Sequence, residues 1–434
     1  MDIKKLYRIY QEHPCITTDS RQCPEGSIFL ALKGASFNGN LFARQALQKG
    51  CAYAIVDEDV VTAADSPLTD QEQSAIIRVD DCLQTFKDLA REHRRQFHIP
   101  VLAITGTNGK TTTKELIAAV LREKYRVMAT EGNFNNDVGV PKTLFRLLPE
   151  HEIAVVEMGA SHPGDIKTLV NTAEPTHGII TNVGRAHLLG FGSFEGVKKT
   201  KGELYDFLRQ THGTVFLNTA DADLTAMAAG VSTTVPYEEG AVVDCSPFLK
   251  LQWNGHTIAT QLVGSYNLPN VMAAITIGRH FGVSEDAICK ALTAYQPSNN
   301  RSQLVRGSRN TLIVDAYNAN PTSMRTALES FVMVKAPAKM AILGDMRELG
   351  AASSKEHQRI VDFIAAHAEQ LGEVWLVGTE FMTTDTRLRR FATTEELKDF
   401  LASQTPTGKT ILVKGSNSMR LFELTDLLAG DNEK

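Results

Sequence analysis

The chain has 434 residues, 43% of them hydrophobic and 22% charged, with a net charge of -5 at pH 7. That balance is the balance of a soluble globular protein too long for one core, and it excludes a general attraction for nucleic acid. The six scattered cysteines form no Cys-x-x-Cys pair, the N-terminus lacks an apolar core of signal-peptide length, and no run of about 18 apolar residues occurs. A disulfide framework, a cysteine zinc site and a membrane span are therefore not expected, and the expected location is the cytoplasm.

Residues 1–98 read as a small α/β unit. A short amphipathic helix opens it, Ser27 to Leu32 is a strand after the Pro-Glu-Gly turn, Gly39 to Lys49 a helix closed by Gly50, and Ala52 to Val56 a second strand. The polar, acidic segment Asp57 to Gln73 reads as a surface loop, Asp81 to Phe97 as a helix, and Pro100 as the boundary. Over residues 99–300 apolar strands alternate with helical patterns: Val101 to Thr105, Ile153 to Glu157, Gly178 to Asn182 and Thr214 to Asn218. That rhythm predicts a mostly parallel sheet with helices on both faces and ligands at the carboxyl ends of its strands. Residues 301–434 repeat it with strands at Thr311 to Ala316, Met340 to Gly344, Val374 to Gly378 and Thr410 to Lys414, a second, Rossmann-like α/β domain. The fold class is thus α/β in three domains.

The chemistry concentrates at strand ends. In VLAITGTNGKTTTKELIAAVL, Val101 to Leu121, a buried strand turns through Gly106, Thr107, Asn108 and Gly109 into a helix that starts with Lys110, Thr111 and Thr112. Glycine lets backbone approach a phosphate, the helix N-terminus directs N–H groups at it, and Lys110 adds a full charge, with the Thr111 hydroxyl available to Mg2+. The pattern departs from the P-loop formula only at position 104, where Ile replaces the first glycine. Glu157 closes the next strand as a candidate metal carboxylate, and His187 follows another strand end in ITNVGRAH; a lone histidine is more often structural than a ligand. Lys198, Lys199 and Lys201 lie at a helix start, where a solvated basic face is the ordinary explanation. Three amide-rich loops, EGNFNNDVGVP, GSYNLPN and DAYNANPTSM, either cap helices or wrap a polar ligand, and Asp315 at a strand end suits a ribose hydroxyl.

Taken together, TGTNGKTTTKE, EGNFNNDVGVP, EMGA, TNVGRAH, KGE and DAYNANPTSM resemble the Mur ligases, ATP-dependent enzymes that add amino acids to the cell-wall precursor peptide, and the likeness covers all three domains. In the DAYNANPTSM loop, Tyr317 and Asn318 stand where sister ligases build around a histidine, which implies D-alanyl-D-alanine as the added group and UDP-MurNAc-tripeptide as its acceptor. The resemblance implies that the 106–112 loop holds ATP phosphates, that Thr111, Glu157 and His187 hold two Mg2+ ions, and that Lys201 is N6-carboxylated and serves as a further metal ligand. It makes Lys110, Glu157, His187 and Lys201 catalytic, and assigns Asn267, Arg301 and Asp315 to the nucleotide. Asp19, Ser20, Arg21, Lys33, Asn38 and Gly39, with Asn135 and Asn136, are implied for the uridine-nucleotide substrate, and Tyr317, Asn318 and Asn320 for the dipeptide. Asn38 and Asn40 occupy positions where family members often carry Asp and His. The implied protein is a monomer that binds neither membrane nor nucleic acid. An NTP-hydrolysing regulatory module would need neither the Glu, His and Lys set nor a second Rossmann-like domain.

Overall fold

The computed structural model describes residues 2–60, 67–297 and 301–431. They divide into two compact units. One comprises Met1–Val101, Met128–Met158 and Thr168–Pro175, and the other Leu102–Val127, Gly159–Lys167 and Thr176–Lys434.

In the first unit the strands Ile16–Thr17, Ile28–Leu30, Tyr53–Val56 and Ile76–Arg78 form a parallel sheet in that order. The opening helix Ile3–Glu12 is capped by the Asp2 carboxylate and buries Leu6, Tyr7 and Tyr10, which share one helical face. The same core takes Phe86 and Leu89 from the helix Cys82–Arg95, whose first turn is capped by Asp81. Two expectations need correction here. The segment expected as one helix from Gly39 is a 3-10 turn, Gly39–Phe42, followed by the helix Ala43–Gln48. The turn is tightened because Asn38 caps it through the Asn40 N–H, while the buried Asn40 side chain is tied to Asp57. The expected loop Asp57 to Gln73 gives way at its end to the helix Asp70–Ala75, opened by a Thr69/Glu72 capping box, and the strand Ile76–Arg78 follows at once. A helix this short and polar has no apolar stripe to betray it, although Thr-x-x-Glu is its start signal. Residues 61–66 of that expected loop lie outside the described residues.

The second unit holds two parallel arrays. In one, Thr233–Pro236, Thr214–Leu217, His177–Ile180 and Val101–Thr105 run side by side, all parallel. The helices Lys110–Arg122 and Leu268–His280 pack so closely that a Cβ on Gly278 would meet Val120 at 2.5 Å. In the other array the order is Gln303–Arg306, Thr311–Asp315, Thr410–Lys414, Lys339–Gly344, Glu373–Val377 and Arg389–Phe391; the first strand is antiparallel and the rest parallel. Register sets Asp315 opposite Lys414 at the carboxyl ends. Between the arrays in sequence lies an antiparallel sheet of Ala241–Asp244, Phe248–Trp253 and His256–Val263 that the alternating strand and helix rhythm did not anticipate. Its signal is a period of two: Leu249, Leu251 and Trp253 are buried while Lys250 and Gln252 are exposed. The expected division at residue 300 also falls outside the described residues.

Where the His177–Ile180 strand begins, His177 stacks on Phe216 and meets His280 edge-on, with centroids 5.5 Å apart. Burial, with repulsion from His280, pulls the His177 imidazole down to about 4, and burial lowers His280 as well. A depressed histidine is neutral when folded but takes up a proton at about 6.5 when unfolded, so its stabilising contribution is complete above that value and fades as pH falls toward 4. The shift corresponds to stability on the order of 3 kcal/mol. His177→Phe should flatten the acid limb of a urea-midpoint profile between pH 6.5 and 4; an unchanged limb would place the acid sensitivity elsewhere.

Candidate active site

The turn that leaves the Val101–Thr105 strand is shaped by two glycines and held by the neighbouring strand's end. Gly106 has φ 142° and Gly109 φ 78°, and a Cβ on Gly106 would overlap the Thr181 hydroxyl. Thr181 Oγ1 donates to the Asn108 carbonyl at 2.6 Å, and Asn182 Nδ2 donates to the same oxygen at 3.0 Å. The Asn108 N–H in turn donates to Asn182 Oδ1 at 3.0 Å, and the Thr107 N–H to the Asn182 carbonyl. The Gly184 N–H donates to Thr107 Oγ1 at 2.9 Å. Lys110 Nζ folds back over the turn, donating to the carbonyls of Gly106 and Thr107 at 2.8 and 3.1 Å. The helix Lys110–Arg122 that starts here has no side-chain cap. Its leading N–H groups, its positive dipole end and the Lys110 ammonium converge as an anion seat. Thr111 is buried in the first turn and Thr112 half-buried beside it.

Behind the helix start, Asn270 Oδ1 accepts from the Thr113 hydroxyl at 3.1 Å and would lie 2.7 Å from a Cβ on Gly109. Asn270 Nδ2 donates to Asn267 Oδ1 at 2.9 Å, and Asn267 Nδ2 donates to the Val263 carbonyl. Asn267, expected at the nucleotide, is thus a buried link in the scaffold of the helix Leu268–His280.

His187 and Lys201 lie in this unit as well. Lys201 is on the helix Phe194–Thr211, well inside it rather than at its start, and is 2% exposed, with its ammonium 5.8 Å above the Phe191 ring. Burial drives its pKa far below the ordinary lysine value, and the Lys110 charge adds to the effect. His187 is depressed by burial too, with Lys110 and Lys201 pushing the same way against the opposing pull of Glu348. The three cationic groups therefore sense one another. Lys198, by contrast, is half-buried and pairs with Asp223 and Glu195, and Lys199 is the exposed member of the cluster.

The DAYNANPTSM loop follows the strand Thr311–Asp315. Asp315 pairs with buried Lys414 at 2.6 Å and accepts from the Ser302 N–H at 3.3 Å. Lys414 also donates to the Asn318 carbonyl. Asn320 caps the helix Pro321–Met333 through the Ser323 N–H, and its Nδ2 donates to Asn108 Oδ1 at 2.7 Å, joining this loop to the glycine turn. Asn318 is exposed, its Oδ1 accepting from the Ala319 N–H. The Arg301 guanidinium lies 3.6 Å over the Tyr317 ring, and its buried Nε finds no acceptor among the described residues.

The remaining candidates belong to the first unit. Glu157 is buried at its strand end and accepts from Asn135 Nδ2 at 2.8 Å. Asn136 Oδ1 accepts from the Gly139 N–H at 2.7 Å, a turn-capping role. Lys33 pairs with Asp57 and Glu58 at 3.3 and 3.1 Å, Asn38 Nδ2 donates to Glu58 at 2.6 Å, and Gly39 lies so close to the Leu32 carbonyl that only glycine fits. Asp19 and Arg21 form an exposed two-point pair that holds the Asp19 carboxyl down at about 2, and the Ser20 carbonyl accepts from Lys49.

Within the second unit, the Thr111 hydroxyl and the His187 imidazole are groups that suit Mg2+, and Lys201 would join them only as a carboxylate. Among the described residues no cluster of three His, Cys, Asp or Glu side chains forms a metal cage by itself, and no helix is long and apolar enough to cross a membrane. Residues beyond the sequence-derived set also matter. Thr181, Asn182 and Asn270 shape the turn, Lys414 fixes Asp315, and Asp57, Glu58 and Asn40 organise the Lys33 cluster. Thr181 and Asn182 lie in TNVGRAH at a strand end, Asn270 closes GSYNLPN and Asn40 follows the Asn38-Gly39 pair; Lys414, Asp57 and Glu58 have no motif of their own.

Three family models match the chain in succession: "Mur ligase family, catalytic domain" over residues 14–94, "Mur ligase middle domain" over 104–278, and "Mur ligase, glutamate ligase domain" over 300–417. The UDP-N-acetylmuramoyl-tripeptide--D-alanyl-D-alanine ligase of Treponema pallidum is 32% identical, with 95% of this chain and 93% of that protein covered. A crystal structure of MurF from Acinetobacter baumannii superposes with a TM-score of 0.83 at 30% identity, covering 95% of this chain and 93% of that one. MurF from Thermotoga maritima in complex with ADP gives a TM-score of 0.83 at 25% identity over 96% and 97% of the two chains.

Gly106→Ala should abolish nucleotide binding, because the added methyl overlaps Thr181 and forces the turn that presents Lys110 to move. Titration with a fluorescent ATP analogue checks this, with a melting curve to show that the fold survives; undiminished binding would mean that the turn does not seat the phosphates.

Proposed function

Because the chain belongs to the Mur ligase family, we propose that it is the ligase that joins D-alanyl-D-alanine to UDP-N-acetylmuramoyl-tripeptide with hydrolysis of ATP. The observation that carries this reading is the clamped glycine turn at an uncapped helix start, joined through Asn320 to the DAYNANPTSM loop. A seat for triphosphate is thereby tied to the loop that distinguishes the dipeptide-adding branch.

The chemistry follows from charge. A carboxylate is a poor electrophile, so the tripeptide's terminal carboxylate oxygen attacks the γ-phosphorus of ATP, the bond to the bridging oxygen breaks, and ADP leaves. The acyl phosphate so formed is attacked at its carbonyl carbon by the amine of D-alanyl-D-alanine. The amine gives up a proton, inorganic phosphate departs, and an amide bond remains. Bringing an anion to a polyanion calls for fixed positive charge in a site shielded from water, and Lys110 supplies it at the phosphates. Thr111, Glu157, His187 and carboxylated Lys201 are the residues we assign to two Mg2+ ions, which supply further charge neutralisation when bound. Asp315, Arg301 and Asn267 are assigned to the nucleoside side. Tyr317, Asn318 and Asn320 are assigned to the dipeptide, the last chiefly through the loop shape that its cap maintains.

Asp19, Ser20, Arg21, Lys33, Asn38 and Gly39 of the N-terminal region, with Asn135 and Asn136, are assigned to the uridine-nucleotide substrate. The Lys33 charge is already met by Asp57 and Glu58, so an incoming diphosphate competes with those two acids for it. The division into substrate, ATP and closing domains near residues 98 and 300, a monomeric state and a cytoplasmic location belong to the same reading.

Burial and the Lys110 charge keep the Lys201 amine neutral at a pH where an exposed lysine is protonated. Only the neutral amine attacks CO2, so this environment favours a carbamate. The ligase should lose activity when stripped of CO2 and regain it on addition of bicarbonate, and Lys201→Ala should be inactive under both conditions. Indifference of the parent protein to bicarbonate would refute the modification. The overall reaction is tested by phosphate release from ATP with UDP-MurNAc-tripeptide, with D-alanyl-D-alanine present or withheld. Release that needs both substrates, with a product heavier by one dipeptide residue, is the expected result; release indifferent to both would leave a nucleotide-binding protein that is not this ligase.

A further inference from the structure

Two loops of the second unit meet at a pair of side chains, only one of which has a role in the reading above. The first loop follows the strand His177–Ile180 and carries His187; the second follows the strand Lys339–Gly344 and carries Glu348. The imidazole Nδ1 of His187 is in contact with Glu348 Oε2. A second contact lies beside it, where Gly350 packs against the Leu189 side chain. Leu349, between them, is buried in the core of the C-terminal sheet, so the loop that presents Glu348 is anchored rather than free.

Both partners sit in left-handed backbone, His187 at φ 49° and Glu348 at φ 64°, and seven non-glycine residues share that feature among the described residues. Each such residue carries a local conformational cost and persists only where the surroundings impose it. That two of the seven touch through their side chains marks the contact as one that the fold maintains against a local cost. The chemistry has a simple logic. A histidine that ligates a metal or phosphate through one ring nitrogen is oriented by an acceptor on the other, which fixes both tautomer and ring plane. Nδ1 lies against the Glu348 carboxylate as an ion-pair contact and has no hydrogen-bond partner elsewhere among the described residues, so Nε2 is the nitrogen left for ligation, in the neighbourhood of Lys110 and Lys201 whose charges act on this ring.

We propose that Glu348 is a positioning residue for His187: its carboxylate holds Nδ1 and so presents Nε2 to the metal and phosphate site. The inference rests on the assignment of His187 to that site. It makes the loop after the Lys339–Gly344 strand a contributor to metal affinity, although Glu348 does not itself ligate.

The test uses Mn2+ with ADP as the probe, read by the loss of the free Mn2+ electron paramagnetic resonance signal, together with the Mg2+ concentration for half-maximal phosphate release. Removing an outer partner of a ligating histidine weakens metal affinity about 10-fold to 100-fold. Glu348→Ala should therefore weaken Mn2+ binding by about 10-fold and raise the Mg2+ requirement in step, while Glu348→Gln, which retains an acceptor oxygen, recovers part of the loss. In a His187→Ala background, Glu348→Ala should add nothing, because the residue acts only through the imidazole. Unchanged Mn2+ binding in Glu348→Ala with weakened binding in His187→Ala would overturn the positioning role alone. An equal additional loss in the His187→Ala background would overturn it too, by showing an independent action. Unchanged Mn2+ binding in His187→Ala would remove the metal assignment of that histidine, and the proposal with it.

Discussion

The second unit depends on the grip that Thr181 and Asn182 hold on the turn between Gly106 and Gly109. A loop that directs backbone N–H groups at an anion cannot satisfy them internally, and its glycines have the greatest freedom to collapse into another shape. Here the neighbouring strand's end takes over the task. Three hydrogen bonds link Asn108 to Thr181 and Asn182, and Thr107 adds three more through Asn182 and Gly184. Parallel pairing of the Val101–Thr105 and His177–Ile180 strands puts these two strand ends at the same level, so the clamp is a consequence of sheet register and not of either loop alone. The absence of a glycine at position 104 fits this arrangement. Ile104 is a fully buried strand residue, and support that a longer glycine-rich loop would draw from its own backbone comes instead from the next strand.

Electrostatics explains the other half of the site. Lys110, Lys201 and His187 gather in one region, and burying like charges together is costly unless some are discharged. The fold resolves this in three ways. Lys110 is neutralised in part by the carbonyls of Gly106 and Thr107, Lys201 is buried so deeply that its neutral form is favoured, and His187 is pushed toward its neutral form by burial against the opposing pull of Glu348. Such a region has a deficit of negative charge that a triphosphate, a carbamate or both would supply. The same desolvation that destabilises the lysine cation is what makes its amine reactive.

Much of this was legible in the sequence because the relevant signals are local. The strand, glycine turn and helix around Lys110 share one short stretch, and the strand ends expected from apolar runs at Glu157, Asn182 and Ala316 fall at Glu157, Ile180 and Asp315. What escaped was set by partners distant in the chain. Asn182 is an ordinary amide until the sheet brings it to Asn108, and Lys414 is an ordinary strand lysine until register pairs it with Asp315. The helix Asp70–Ala75 had no apolar stripe, and the antiparallel sheet after residue 241 was hidden by the expectation of alternating strands and helices. Glu348 belongs to the same class, since its meaning depends on a histidine contributed by another sheet.

The amide-rich loops show how capping and ligand binding can coexist in one stretch of sequence. In DAYNANPTSM, the buried Asn320 amide spends one acceptor site on capping the Pro321–Met333 helix and one N–H on Asn108, so it serves the scaffold first. Asn318 uses only its oxygen, on the next residue's N–H, and remains exposed, while Tyr317 holds the Arg301 guanidinium on its ring face. The residues at 317 and 318 are therefore the ones whose chemistry can turn outward, and Asn320 fixes the loop from which they do so. Because the same Asn320 amide also grips the glycine turn, any displacement of the DAYNANPTSM loop is transmitted to that turn through a hydrogen bond of 2.7 Å. Under the proposed assignments, activation of a carboxylate at the glycine turn and capture by an amine at this loop are coupled through the scaffold.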